Sequence, residues 1–196
     1  MAITIEQIKQ LREETGAGVL DCRKALEANT GDFAKAIEYL REKGLAKAAK
    51  RADREVLEGM LELYSHGNGR VGVMVEVNCE TDFVARSEAF RKFAHEVALQ
   101  IAAGEPKYIR VEDIPAEVLE HEREKARTLA LQEGKPEKVI ERMEKFYNDT
   151  CLLRQTYVRD ENITLEDLRN QNIAAIGENI VIRRFARWEV GEEVKS

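Results

Sequence analysis

The chain has 196 residues, of which 43% are hydrophobic and 35% charged, with a formal net charge of −6. That balance excludes a disordered chain, and its acidic sign argues against nucleic acid as the main partner. With only three prolines, the composition favours helix over most of the length.

Thr4 to Glu14 is predicted as a first helix, with Thr4 and Gln7 at capping-box spacing and Ile5, Ile8 and Leu11 along one face. Thr15-Gly16-Ala17-Gly18 breaks it, its two glycines permitting a tight turn with positive φ. A second helix from about Val19 to Ala28 turns Val19, Cys22 and Leu26 inward. Asp32 caps a third, with Phe33, Ile37 and Leu40 buried and Gly44 as its stop. Residues 1–45 thus form a small three-helix bundle. Residues 46–55, alanine-rich and charged, form a linker whose Lys47, Lys50, Arg51 and Arg54 pair with Asp53 and Glu55 on a solvated face.

The core domain is expected over 56–196. Val56 to Tyr64, the turn SHGNG and Val71 to Val77 predict a β-hairpin. Beyond it Phe90, Phe93, Ala94, Val97 and Ile101 recur at helical spacing, with Ser87 as N-cap. Thr81-Asp82-Phe83-Val84 therefore sits where a strand hands over to a helix. Taken by itself, Phe83 reads as a core aromatic and Asp82 as a helix N-cap. Lys107 to Val111 is a short strand or an extended link. A helical hairpin near 115–155 follows, its second arm striped by Val139, Ile140, Met143, Phe146 and Tyr147. Thr164 and Asp167 open a last helix, and Asn179 to Val190 is a final strand. The fold class is α+β: the bundle, the linker, then an antiparallel sheet packed with helices.

Sites for chemistry are not evident. There is no GxxxxGK[ST] loop, and the TGAG turn lacks GxGxxG spacing. His95-Glu96 and His121-Glu122 begin an HExxH pattern, but Leu99 and Lys125 hold the second histidine position. No metal and no cofactor are expected. Cys22, Cys79 and Cys151 make no CxxC pair and fit a reducing compartment. Cys79, beside Glu80 and Asp82, reads as an inert thiol. The opening MAITIEQIKQ has no signal-peptide pattern, and no apolar run is long enough to span a bilayer. A cytoplasmic binding or regulatory protein, without covalent chemistry of its own, is the expectation.

Two segments carry a resemblance. LREETGAGVLDCRKAL (Leu11 to Leu26) and EVNCETDFVAR (Glu76 to Arg86) resemble the two signatures of the bacterial translation elongation factor Ts family. KAAKRADRE and IGENIVIRRFARWE resemble other family segments in the same order. The resemblance implies guanine-nucleotide exchange on elongation factor Tu, bound both with GDP and free of nucleotide. It implies a ubiquitin-associated-like bundle docking through Arg12, Gly16, Ala17, Gly18, Val19 and Lys24. It further implies that Thr81, Asp82, Phe83 and Val84 intrude on the GTPase, where Asp82 and Phe83 disturb Mg²⁺ and phosphate contacts. The chain has room for one core unit and so resembles the short class, whose members pair. The last strand, with Ile180, Ile182, Phe185 and Trp188, is the candidate dimer edge. Two other readings stand beside exchange. One is an adaptor that recognises a peptide or ubiquitin-like surface through the bundle. The other is a nucleic-acid binder using Lys47 to Arg54.

Overall fold

The computed structural model describes residues 3–193. The expected domains begin at residue 1 and end at 196; residues 1, 2 and 194–196 lie outside the described ones. The architecture is α+β, as expected.

Helix α1 (Ile5–Thr15) starts with a complete capping box: the Thr4 hydroxyl accepts from the Gln7 N–H, and the Gln7 side chain accepts from the Thr4 N–H at 2.9 Å. Gly16 ends it in the left-handed conformation, at φ 65°. Of the two glycines in this turn Gly16 alone has positive φ, because Gly18 caps α2 (Val19–Ala28) at φ −64°. Asp32 caps α3 (Phe33–Ala49) by accepting from the Lys35 N–H. Leu11, Cys22, Ala25, Leu26 and Ala36 form the bundle core, with Ile8, Phe33, Ile37 and Leu40 packed on it. Val19 does not join them: it is the first residue of α2 and is 50% exposed.

The expected stop at Gly44 is absent. Helix α3 runs through it for another turn, because Gly44 faces α8 (Leu165–Ile176) rather than ending a face. A Cβ there would lie 3.8 Å from that of Ala174, so the missing side chain permits close helix packing.

Strands β1 (Glu58–His66) and β2 (Val71–Cys79) form the predicted hairpin, and β5 (Val181–Glu189) lies on the other side of β2. The Val190 N–H meets the Arg70 carbonyl at 2.9 Å, and at the far end of the strands the Asn179 N–H meets the Glu80 carboxylate at 2.6 Å. Strand β5 is therefore antiparallel to β2. A one-turn helix, α4 (Asp82–Ala85), precedes α5 (Glu88–Gly104), which the Ser87 hydroxyl caps by accepting from the Phe90 N–H. Phe90, Phe93, Ala94, Val97, Ala98 and Ile101 are all buried on α5. Each of its large apolar side chains contributes about 1.5–3 kcal/mol.

The chain divides into two compact units. One comprises Met1–Glu62, Val75–Glu96 and Asp167–Arg183; the other comprises Leu63–Met74, Val97–Glu166 and Arg184–Ser196. The first holds the bundle, α4 and most of α8. The second holds the helical hairpin of α6 (Ala116–Gln132) and α7 (Lys138–Thr150). On α7 the buried face runs through Met143 to Thr150, whereas Ile140 is exposed. It lies in the first turn of α7, within the stripe by helical angle, and is 75% exposed there, so the stripe is buried only further along the helix. Tyr108 makes a single parallel bridge to Cys151 and Val111–Asp113 form a 3-10 turn, in place of a regular strand. A short hairpin of β3 (Thr156–Tyr157) and β4 (Asp160–Thr164) was not predicted.

Candidate functional site

The junction between β2 and α5 is built on Thr81. Its backbone is extended, and its hydroxyl accepts from the Val84 N–H at 3.3 Å, so Thr81 and not Asp82 is the N-cap of α4. Asp82 is the first residue inside the helix, and its carboxylate receives the Arg86 guanidinium at 2.7 Å. Val84 is buried and anchors the turn to the core. Phe83, between them, is 82% exposed. This overturns the reading of Phe83 as a core aromatic. In a single helical turn adjacent side chains diverge by about 100°, so burying Val84 sends its neighbour outward.

Glu178, Glu80 and Asn179, to which sequence reasoning gave no place at this turn, brace its base together with Arg54. Glu178, between α8 and β5, accepts from the N–H groups of Glu80 and Thr81 at 3.0 and 3.1 Å and from the Thr81 hydroxyl at 2.6 Å. The Glu80 carboxylate accepts from the Asn179 N–H and from Arg54. The Asn179 amide donates to the carbonyls of Ala52 and Arg54. The available signal was Gly177-Glu178-Asn179, a polar run between an apolar helix and an apolar strand. It names Glu178 and Asn179 without their partners.

The basic run from the last turn of α3 onward also finds partners other than those expected. Lys47 pairs with Asp21 at 2.8 Å, Arg51 donates to the Gly177 carbonyl at 2.9 Å, and Arg54 meets Glu80. Lys47 and Arg51 are half-buried and taken up by these contacts, whereas Lys50 and Arg54 stay on the solvated face, Arg54 with Glu80 and not with Asp53 or Glu55 as its partner.

Cys79 sits under the same turn, fully buried, its thiol donating to the Thr81 carbonyl. Burial pushes its pKa up to about 11, with help from the negative charge of Glu178. Such a thiol is no nucleophile at neutral pH. Among the described residues no group of three or more His, Cys, Asp or Glu could hold a metal ion, and no helix is long and apolar enough to cross a membrane.

The second set of predicted residues lies on the α1–α2 turn and the helices flanking it. Arg12, Gly16, Gly18, Val19 and Lys24 are exposed, and Ala17 is half-buried against the bundle core. The Thr15 hydroxyl shapes the turn by donating to the Leu11 carbonyl at 2.6 Å and accepting from the Ala17 N–H. Leu20, next to Val19, is exposed as well, so the turn and the start of α2 together present apolar surface.

The family model described as elongation factor TS matches residues 6–171. Elongation factor Ts of Caldanaerobacter subterraneus subsp. tengcongensis is 58% identical over 198 residues, spanning 98% of this chain and 99% of its own length. Those of Carboxydothermus hydrogenoformans and Moorella thermoacetica are each 55% identical, over 97% and 98% of this chain and 90% and 97% of their own.

Proposed function

The chain belongs to the elongation factor Ts family, and so to the proteins of translation elongation, and we propose that it acts as a guanine-nucleotide exchange factor for elongation factor Tu. The observation that carries this reading is Phe83: a large aromatic, 82% exposed, on a helical turn whose base is fixed by hydrogen bonds. An apolar ring held in water on a braced support suits insertion into a partner better than packing within its own chain.

In this reading Asp82 and Phe83 enter the GTPase domain and disturb its Mg²⁺ and phosphate contacts, with Thr81 and Val84 fixing the turn that carries them. Arg12, Gly16, Ala17, Gly18, Val19 and Lys24 dock the bundle on the same domain. An exchange factor must favour the nucleotide-free partner, and linkage makes the effect reciprocal: GDP weakens factor binding by the ratio in which the factor weakens GDP binding. Burying the Phe83 ring contributes about 1.5–3 kcal/mol. That offsets a lost metal contact only in part, so the docking surface supplies the rest of the differential binding.

Pairing of two copies through β5 is part of the same proposal. It is supported by the position of β5 at the edge of the three-stranded sheet and by Trp188, which is 66% exposed. The cytoplasm is the compartment in which the activity would operate.

The test is release of a fluorescent GDP analogue from elongation factor Tu, with the native chain and with Phe83→Ala. Acceleration by the native chain and a marked loss in the folded variant are expected. Equal acceleration by both would reduce Phe83 to a bystander. No acceleration by the folded native chain would leave the adaptor reading, in which the bundle recognises another protein surface, in first place.

A further inference from the structure

The turn that carries Phe83 is gripped by a residue 97 positions away from Thr81 in sequence. We propose that Glu178 is the positioning residue of the exchange wedge: its carboxylate fixes the Glu80–Thr81 backbone from which α4 projects Phe83. The proposal rests on the reading of Phe83 given above and goes beyond it by assigning the group that sets the wedge's direction.

The three hydrogen bonds divide between the two carboxylate oxygens. Oε2 accepts from both backbone N–H groups, and Oε1 accepts from the Thr81 hydroxyl. An ionised carboxylate only accepts, and all three partners donate. Because the hydroxyl proton is directed at Glu178, its lone pairs remain available to the Val84 N–H. The carboxylate thereby orients the cap of α4 as well as its approach.

Capping a one-turn helix requires only Thr81. The N–H groups of Glu80 and Thr81 precede the helix, so holding them adds nothing to its internal bonding. What it fixes is the angle at which the chain leaves β2, and with it the direction of Phe83. The grip is reciprocal, since Glu80 accepts from the N–H of Asn179, the residue after Glu178. Arg51 and Arg54 close the third side, on the Gly177 carbonyl and the Glu80 carboxylate. Three segments distant in sequence thus converge on two peptide units beside the wedge.

The experiment measures GDP release from elongation factor Tu against concentration of the native chain, Glu178→Ala, Glu178→Gln and Thr81→Val. Amide hydrogen exchange at Glu80 and Thr81 is followed in each free chain. Losing a hydrogen bond to a charged acceptor corresponds to roughly tenfold. In Glu178→Ala we expect a saturating release rate about tenfold lower, a half-saturating concentration changed less, and faster exchange at both amides. The glutamine keeps an acceptor for the two N–H groups and a donor for the hydroxyl, so Glu178→Gln should return to near the native rate. Thr81→Val, which loses the Glu178 Oε1 contact together with the cap on the Val84 N–H but keeps both backbone contacts, should also lower the saturating rate and serves if the alanine variant does not fold.

A folded Glu178→Ala or Thr81→Val chain with the native saturating rate overturns the positioning role while exchange stands. A native chain that fails to accelerate release overturns the exchange reading itself, and with it the wedge. Unchanged amide exchange in Glu178→Ala overturns the grip whatever the release assay gives.

Discussion

Asp21 on α2 and Lys47 near the end of α3 meet at 2.8 Å, and Lys43, one turn earlier, reaches the other carboxylate oxygen at 3.1 Å. The hydrogen bond from Lys47, against the opposing effect of burial, holds the Asp21 carboxyl below its usual range. A carboxylate depressed in the folded state stabilises it above the unfolded pKa of about 3.9 and loses that contribution as pH falls through the folded value. Asp21→Asn should cost about 1 kcal/mol at neutral pH, less at high salt. It should cost almost nothing at a pH below both pKa values. Denaturant unfolding at the two pH values checks this.

Phe83 and Phe93 should separate stability from function. Phe83→Ala removes an exposed ring and should shift unfolding by less than about 0.5 kcal/mol. Phe93→Ala empties a buried position and should cost about 3–5 kcal/mol. A large loss from Phe83→Ala in urea unfolding would mean that the ring packs against its own chain.

The two glycines of the α1–α2 turn should respond oppositely. Gly16→Ala forces a side chain into the left-handed region at φ 65° and should destabilise by about 1 kcal/mol. Gly18 has an ordinary extended backbone, caps α2 without a side chain and has open space around it. Gly18→Ser should therefore stabilise by about 0.5 kcal/mol, by supplying the missing cap and stiffening the unfolded chain. Thermal melts of the two variants settle the sign of each.

All three cysteines are buried. None should react quickly with a thiol reagent at pH 7, and all should react in denaturant. Cys79 adds an alkaline limb to stability. Its folded pKa is raised to about 11, so its contribution is complete below the unfolded pKa of about 8.5 and is lost as pH rises towards 11. Cys79→Ala should flatten that limb in unfolding measured between pH 8 and 11, on top of a pH-independent packing loss.

Where one period dominates, the sequence was a sound guide. Val73, Val75 and Val77 are buried with Met74 exposed and Glu76 half-buried between them, and α5 buries the residues that its spacing picked out. Gly44 misled because a glycine at a helix end and one at a helix crossing look alike in sequence; only the proximity of Ala174 distinguishes them. The β3–β4 hairpin escaped because Asp160-Glu161-Asn162 has no apolar alternation. The four braces of the wedge lie beyond any local rule. Glu178 is an unremarked acid between a helix and a strand until folding brings Thr81 to it.

The grip on α4 also bears on how fast Phe83 can act. Its turn is capped, its amides are bonded, and Val84 is already seated in the core. Most of the backbone freedom of this segment is therefore lost when the chain folds, before any partner arrives. A loop that ordered itself on arrival would slow the encounter and weaken the complex. A ring carried on a settled turn meets its target with its support already ordered, so a variant that loosens the turn pays that ordering within the complex and shows it in the release step more than in the encounter.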